Sequence, residues 1–155
     1  MMASLTLLKS TETVNRTLDS TIASIDVAED AIRQIATPAG FSELSLGRIC
    51  LAVREIMTNA IVHGNRYDLR KSVFLAVSRT PARLEITISD QGSGFDLSSV
   101  PDPRSPGALL RPSGRGVYMA RAFMDEFHVR RGDLCGAAVV LVKYVKGSTQ
   151  PGALP

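Results

Sequence analysis

"REIMTNAIVHGN", residues 54–65, is the stretch on which the reading of this chain turns. Followed back to Leu44, it sets apolar side chains at Leu46, Ile49, Cys50, Val53, Ile56, Met57 and Ala60. That is the 3.6-residue repeat of a helix with one buried stripe. The spacing predicts a helix from about Leu44 to His63, with Gly64 as its terminator. Glu55 and Asn59 break the apolar character, and being four apart they stack on one face. With Glu55 at zero on a helical wheel, at roughly 100° per residue, the apolar stripe centres near ~150°. Arg48, Ala52, Glu55 and Asn59 fall within about 60° of one another, beside the core rather than opposite it. Taken alone, the pair reads more readily as a solvated edge than as chemistry, although a polar strip beside a core stripe often borders a cleft.

The elements around this helix follow from the same patterning. "SLTLLKS", 4–10, alternates weakly and reads as an edge strand. "IDVAEDAIRQIATPAG", 25–40, repeats apolar residues at a helical period and stops at Pro38 and Gly40. "KSVFLAVSR", 71–79, and "RLEITISD", 83–90, alternate as two hairpin strands, with Leu84, Ile86 and Ile88 facing one way. Residues 91–114 are rich in Gly, Pro and Ser, and a loop of that length is usually a lid or a binding loop. "RGVYMARAFMDE", 115–126, reads as a helix, and "FHVRR" and "AAVVLVKYV" as two strands turning at Gly132 and Gly136. The order predicts an α/β (α+β) two-layer sandwich: a mostly antiparallel mixed sheet with helices on one face. A single domain is expected over 1–146, with a tail over 147–155.

Composition narrows the functional classes. At 155 residues and 45% hydrophobic content the chain can bury a core without disulfides or metal. Cys50 and Cys135 form no CxxC pair, and with two histidines they make no zinc spacing. Cys50 falls on the apolar stripe, a small buried hydrophobe suited to a reducing cytoplasm. The longest apolar run, "AAVVLV" at 137–142, is strand-sized rather than membrane-spanning, and "MMASLTLLKS" lacks the pattern of a signal peptide. A cytoplasmic location is expected. Charge is uneven: residues 1–45 carry three basic and six acidic side chains, and residues 46–155 carry fifteen and nine. Arg104, Arg111, Arg115, Arg121, Arg130 and Arg131 fall in the last third. With 5% aromatic residues and no basic helix face, an anionic small ligand fits them better than direct nucleic-acid binding.

Two glycine-rich segments alter the reading of Glu55 and Asn59. "DQGSGF", 90–95, follows a strand directly, so Gly92 and Gly94 permit a tight turn or close approach to a ligand. "SGRGVY", 113–118, opens a helix, where bare backbone N–H groups at Gly114 and Gly116 suit phosphate and Arg115 adds charge. Each alone is also an ordinary turn or cap. No GxxxxGK[ST] is present, the glycine pairs do not complete GxGxxG because Leu97 and Met119 stand sixth, and HRD and DFG are absent.

In this order, "ExxxNAxxHG", "DxGxGF" and "GRG" resemble the N, G1 and G2 boxes of the GHKL (Bergerat-fold) ATPases. "LAVREIMTNAIVHG" and "LLRPSGRGVYMARAFMDE" are closest to the RsbW-like anti-sigma-factor serine/threonine kinases, over about residues 20–145. The resemblance implies Glu55 as general base, Asn59 as ligand to Mg²⁺, and Asp90 as acceptor for the adenine amino group of ATP. It implies Gly92 and Gly94 under the base, Gly114, Arg115 and Gly116 at the phosphates, and residues 96–113 as the ATP lid. His63 and Gly64 match the pattern and are read as structural; Asp125 and Glu126 are read as surface or packing residues. The implied partners are a sigma factor, which the protein sequesters, and a STAS-domain anti-anti-sigma protein, which it phosphorylates. A homodimer is implied, with the N-terminal strand as a contact. The alternative is a non-catalytic, ATP-dependent protein-binding module of the same fold. One departure stands out. Relatives often carry Gly-Thr before the final strand, where "CGAAVV" puts Ala137 and Ala138 after Gly136.

Overall fold

The cleanest alternation in the sequence becomes the centre of the sheet. The computed structural model describes residues 10–93, 115–133 and 135–146. Strand β2 (Ser72–Arg79) buries Val73, Leu75 and Val77, and β3 (Arg83–Ser89) buries Leu84, Ile86 and Ile88. Their antiparallel register sets Leu75 opposite Ile88 and Val77 opposite Ile86, so one face of the hairpin is continuous hydrocarbon. Strand β5 (Ala137–Tyr144) pairs with β3 and extends that face through Val139 and Leu141. With β1 (Glu12–Asp19) and β4 (Glu126–Arg131) at the edges, the order is β1-β2-β3-β5-β4. Every pairing among the described residues is antiparallel.

Three helices complete the second layer. Helix α1 (Ala23–Ala36) buries Ile25, Ala28, Ile32 and Ile35, then tightens into a 3₁₀ turn, Thr37–Ala39, that ends at left-handed Gly40. Helix α2 (Glu43–Asn59) starts at Ser42, whose hydroxyl accepts the Ser45 N–H at 3.1 Å. All seven residues of its expected apolar stripe are buried. Helix α3 (Arg115–Phe123) contributes Val117 and Ala120 to the same core. Arg54 ties α2 to α1, its guanidinium forking onto Glu29 at 2.8 and 3.0 Å and reaching Asp26 at 3.2 Å.

Three boundaries differ from the sequence reading. The strand expected at 4–10 lies almost wholly outside the described residues; the first described strand is Glu12–Asp19, which the pattern did not signal. Only Leu18 of that strand is buried, because an edge strand can be held by backbone pairing to β2 without apolar alternation. The central helix does not run uniformly to His63: it widens into a π turn over Ala60–Gly64, with Asn65 N–H donating to Ala60 O at 2.8 Å. Helix α3 stops at Phe123 because the Asp125 N–H leaves the helix for Val142 O at 2.9 Å, which starts β4.

Candidate functional site

Asp90 stands at the end of β3, where the sheet meets the π turn of α2. It is 9% exposed. Its Oδ1 accepts the Gly92 N–H at 2.8 Å and the Ala137 N–H at 3.4 Å, while its own N–H donates to Ala137 O at 3.0 Å. Among the described residues Oδ2 accepts no hydrogen bond. Burial pushes the Asp90 carboxyl pKa up, against the opposing pull of the Gly92 and Ala137 N–H groups.

Three glycines make this packing possible. A Cβ at Gly64 would stand 2.5 Å from Asp90 Cγ, and one at Gly92 would stand 2.2 Å from Gly64 O. Gly136, at φ +75°, would set a Cβ 2.4 Å from Asp90 O and 2.5 Å from Oδ1. Gly64 therefore does more than end a helix. Its φ is not positive, and its missing side chain is what brings α2 against Asp90. Gly136, read from sequence as a turn residue, is a wall of the same pocket.

Asn65 is a second residue that sequence reasoning missed. It is 1% exposed, and its side chain makes three hydrogen bonds. Nδ2 donates to Ser20 Oγ and to Ser72 O, both at 2.9 Å, and Oδ1 accepts the Gln91 N–H at 2.7 Å. Ser20 Oγ donates in turn to Lys71 O at 2.6 Å. One amide thus fixes the end of β1, the start of β2 and the residue after Asp90. Its only sequence signal is a polar residue directly after "HG", which is not distinctive.

The other end of the site is less committed. Glu55 and Asn59 are half-buried on the flank of α2 that faces α3. The expected strip is split in its environment: Ala52 is fully buried, whereas Arg48 is exposed with its guanidinium 5.5 Å from the centre of the Phe123 ring. A Cβ at Gly116 would lie 2.0 Å from Glu55 Oε2, so the first turn of α3 rests on that carboxylate. Among the described residues neither the Glu55 carboxylate nor the Asn59 carboxamide makes a hydrogen bond. Arg115 is exposed at the start of α3. His63 is exposed and, among the described residues, makes no capping hydrogen bond. Asp125 binds the Tyr144 N–H at 2.7 Å and Glu126 binds the Tyr144 hydroxyl, in keeping with packing roles. Gly94, Gly114 and the expected lid at 96–113 lie outside the described residues.

The sequence segments therefore converge. Gly64 and Gly92 meet at Asp90, and Gly116 meets Glu55. Nine residues of helix separate Gly64 from Glu55, about 13 Å at 1.5 Å per residue. That distance leaves room for an extended ligand laid along α2 between Asp90 and Glu55. Asn59 stands between them with its amide oxygen uncommitted, which fits a lone protein ligand to Mg²⁺, an ion that keeps most of its sphere for water and phosphate.

This arrangement is an α/β sandwich with polar groups at two points along one helix, and comparison with known proteins names its class. Residues 18–143 match the model of the histidine kinase-like ATPase domain, and the chain belongs to that family. Similar proteins carry the names serine-protein kinase and anti-sigma F factor. The chain is 28% identical over 127 residues to the serine-protein kinase RsbW of Oceanobacillus iheyensis, covering 78% of this chain and 79% of the relative. It is 32% identical over 107 residues to the anti-sigma F factor of Bacillus thuringiensis, covering 66% and 72%. The fold is similar to that of a crystal structure of the RsbU and RsbW domains of a Mycobacterium tuberculosis protein (TM-score 0.62, 18% identity). That match covers 90% of this chain and 34% of the other. No described helix is long and apolar enough to cross a membrane.

Proposed function

We propose that this chain binds Mg-ATP between Asp90 and Glu55 and transfers the γ-phosphoryl group to a serine or threonine of a STAS-domain anti-anti-sigma protein. In its other state it sequesters a sigma factor. The observation that carries the reading is the pairing of two uncommitted carboxylate ends along one helix. Asp90 offers Oδ2 in a pocket too tight for any side chain at its three glycines, and Glu55 offers its carboxylate at the first turn of α3.

Each group has work suited to its chemistry. An ionised aspartate only accepts hydrogen bonds, so Asp90 takes the adenine amino group and disfavours the carbonyl of guanine. Glu55 accepts the proton of the substrate hydroxyl as that oxygen attacks the γ-phosphorus and the bond to the ADP oxygen breaks. Asn59 would hold Mg²⁺ by its amide oxygen; the ion, when bound, would offset the negative charge of the phosphates. Gly92 and Gly94 support the base, and Gly114, Arg115 and Gly116 bring N–H groups and positive charge to the phosphates. The names carried by the relatives, serine-protein kinase and anti-sigma factor, support both halves of the proposal.

The test is direct. Purified protein is incubated with Mg-ATP and the STAS-domain proteins of its source organism, and phosphosites are mapped by mass spectrometry. Transfer to a serine or threonine that is lost in Glu55→Gln is expected. ATP binding without transfer to any of them would favour the non-catalytic binding module, for which Ala137 in the usual threonine position is the one supporting observation.

A further inference from the structure

The contact between Gly116 and Glu55 goes further than phosphate binding. Among the described glycines, the closest approach a missing side chain would make is at Gly116, where a Cβ would stand 2.0 Å from Glu55 Oε2 and 2.8 Å from Glu55 Cδ. The two helices have little freedom to separate and relieve such a contact. Ala52, Val117 and Ala120 are buried at 0–2% exposure. Arg48 on α2 covers the Phe123 ring on α3 at 5.5 Å. The buried backbone is close-packed, whereas the Glu55 carboxylate ends a flexible side chain and is only half-buried. A methyl group at position 116 would therefore move the carboxylate, not the helix.

We infer that Gly116 is a positioning residue for Glu55: its missing side chain sets where the carboxylate lies against α3, and hence where a substrate hydroxyl must arrive. The inference rests on the phosphoryl-transfer reading above. It separates two roles for one glycine, exposing an N–H to phosphate and leaving room for the base. Misplacement of a catalytic group by about 1 Å lowers a rate by up to about a hundredfold.

The experiment compares Gly116→Ala, Glu55→Asp and the double variant in steady-state phosphoryl transfer to the unphosphorylated form of the STAS protein that serves as substrate. Gly116→Ala is expected to lower kcat by about tenfold or more. The KM for ATP should change by less than about threefold. The shorter aspartate clears the new methyl, so the two losses should not multiply in the double variant. A raised KM with kcat intact, or losses that multiply, would overturn the inference.

A second measurement does not depend on turnover. The Glu55 carboxyl carbon is followed by NMR in the wild type, in Gly116→Ala and in Ala122→Ser, an exposed change on the same helix. A shifted Glu55 signal in Gly116→Ala alone supports the contact, and an unshifted one overturns it. If the wild-type protein transfers no phosphoryl group, the functional proposal fails, while this signal still reports on Gly116.

Discussion

The Asp90 pocket and the Glu55 flank are built in opposite ways. Asp90 is buried, its Oδ1 is bound by two backbone N–H groups, and Gly64, Gly92 and Gly136 close around it without room for a methyl. Glu55 and Asn59 are half-buried, make no hydrogen bonds among the described residues, and face a helix start. One end is set before any ligand arrives; the other keeps its polar atoms available. Recognition gains from a fixed acceptor, because a site whose polar groups are already oriented loses little ordering entropy on binding. On the proposed phosphoryl-transfer reading, chemistry gains from groups not yet committed to a partner.

The sharpest way to break this comparison is to remove one function while leaving the other. Glu55→Gln keeps shape and loses the base, so phosphoryl transfer should fall by about 10³-fold. ATP affinity, measured by calorimetry, should stay within about threefold, because uniform binding is untouched. A parallel loss of affinity would show that the two ends are not separate.

Asp90→Asn should do the reverse. Losing a charged acceptor costs about 1.5–3 kcal/mol, so ATP affinity should fall by about tenfold to a hundredfold. The same carboxylate predicts a pH dependence of two signs. Burial raises its pKa in the folded chain, so the folded state takes up a proton more readily than the unfolded one. The stability gained from that proton is fully present below the unfolded pKa and lost as pH rises through the folded value. ATP affinity runs the other way: it should fall as pH drops through the folded value, starting at a higher pH than an exposed aspartate would require. Calorimetric titrations across the acid range should show that decline in the wild type and a flatter profile in Asp90→Asn.

The rigidity of the pocket is tested by Gly136→Ala. Left-handed φ and a Cβ 2.4 Å from Asp90 O combine, and the change should destabilise the fold by about 2 kcal/mol, read by denaturant titration. Equal stability would mean that the pocket yields. The smallest effect is expected at Ala137. Its N–H and C=O already hold Asp90, but its side chain offers no hydroxyl. Ala137→Thr should tighten ATP by up to about tenfold, one hydrogen bond of about 0.5–1.5 kcal/mol. Unchanged affinity would mean that the backbone alone suffices.

Much of this architecture was legible in the sequence because its physics is local. Val73, Leu75 and Val77 alternate because a strand alternates, and Ile49, Val53 and Ile56 recur because a helix turns every 3.6 residues. The edge strand at Glu12–Asp19 was not legible, since backbone pairing to β2 leaves no apolar rhythm. Nor was Asn65, two of whose three side-chain bonds run to Ser20 and Gln91, far along the chain.

The sequence by itself determined the central elements and the family resemblance, because periodicity and motif are properties of neighbours along the chain. Only the tertiary structure decided why Gly64, Gly116 and Gly136 are glycine. Their constraint comes from Asp90 and Glu55, residues remote in sequence that folding brings within a bond length or two of an absent Cβ. In the same way, "REIMTNAIVHGN" announced a helix with two polar residues beside its core, and only the fold set Gly116 of α3 against Glu55 and Asp90 against Gly64 at the far end of the same stretch.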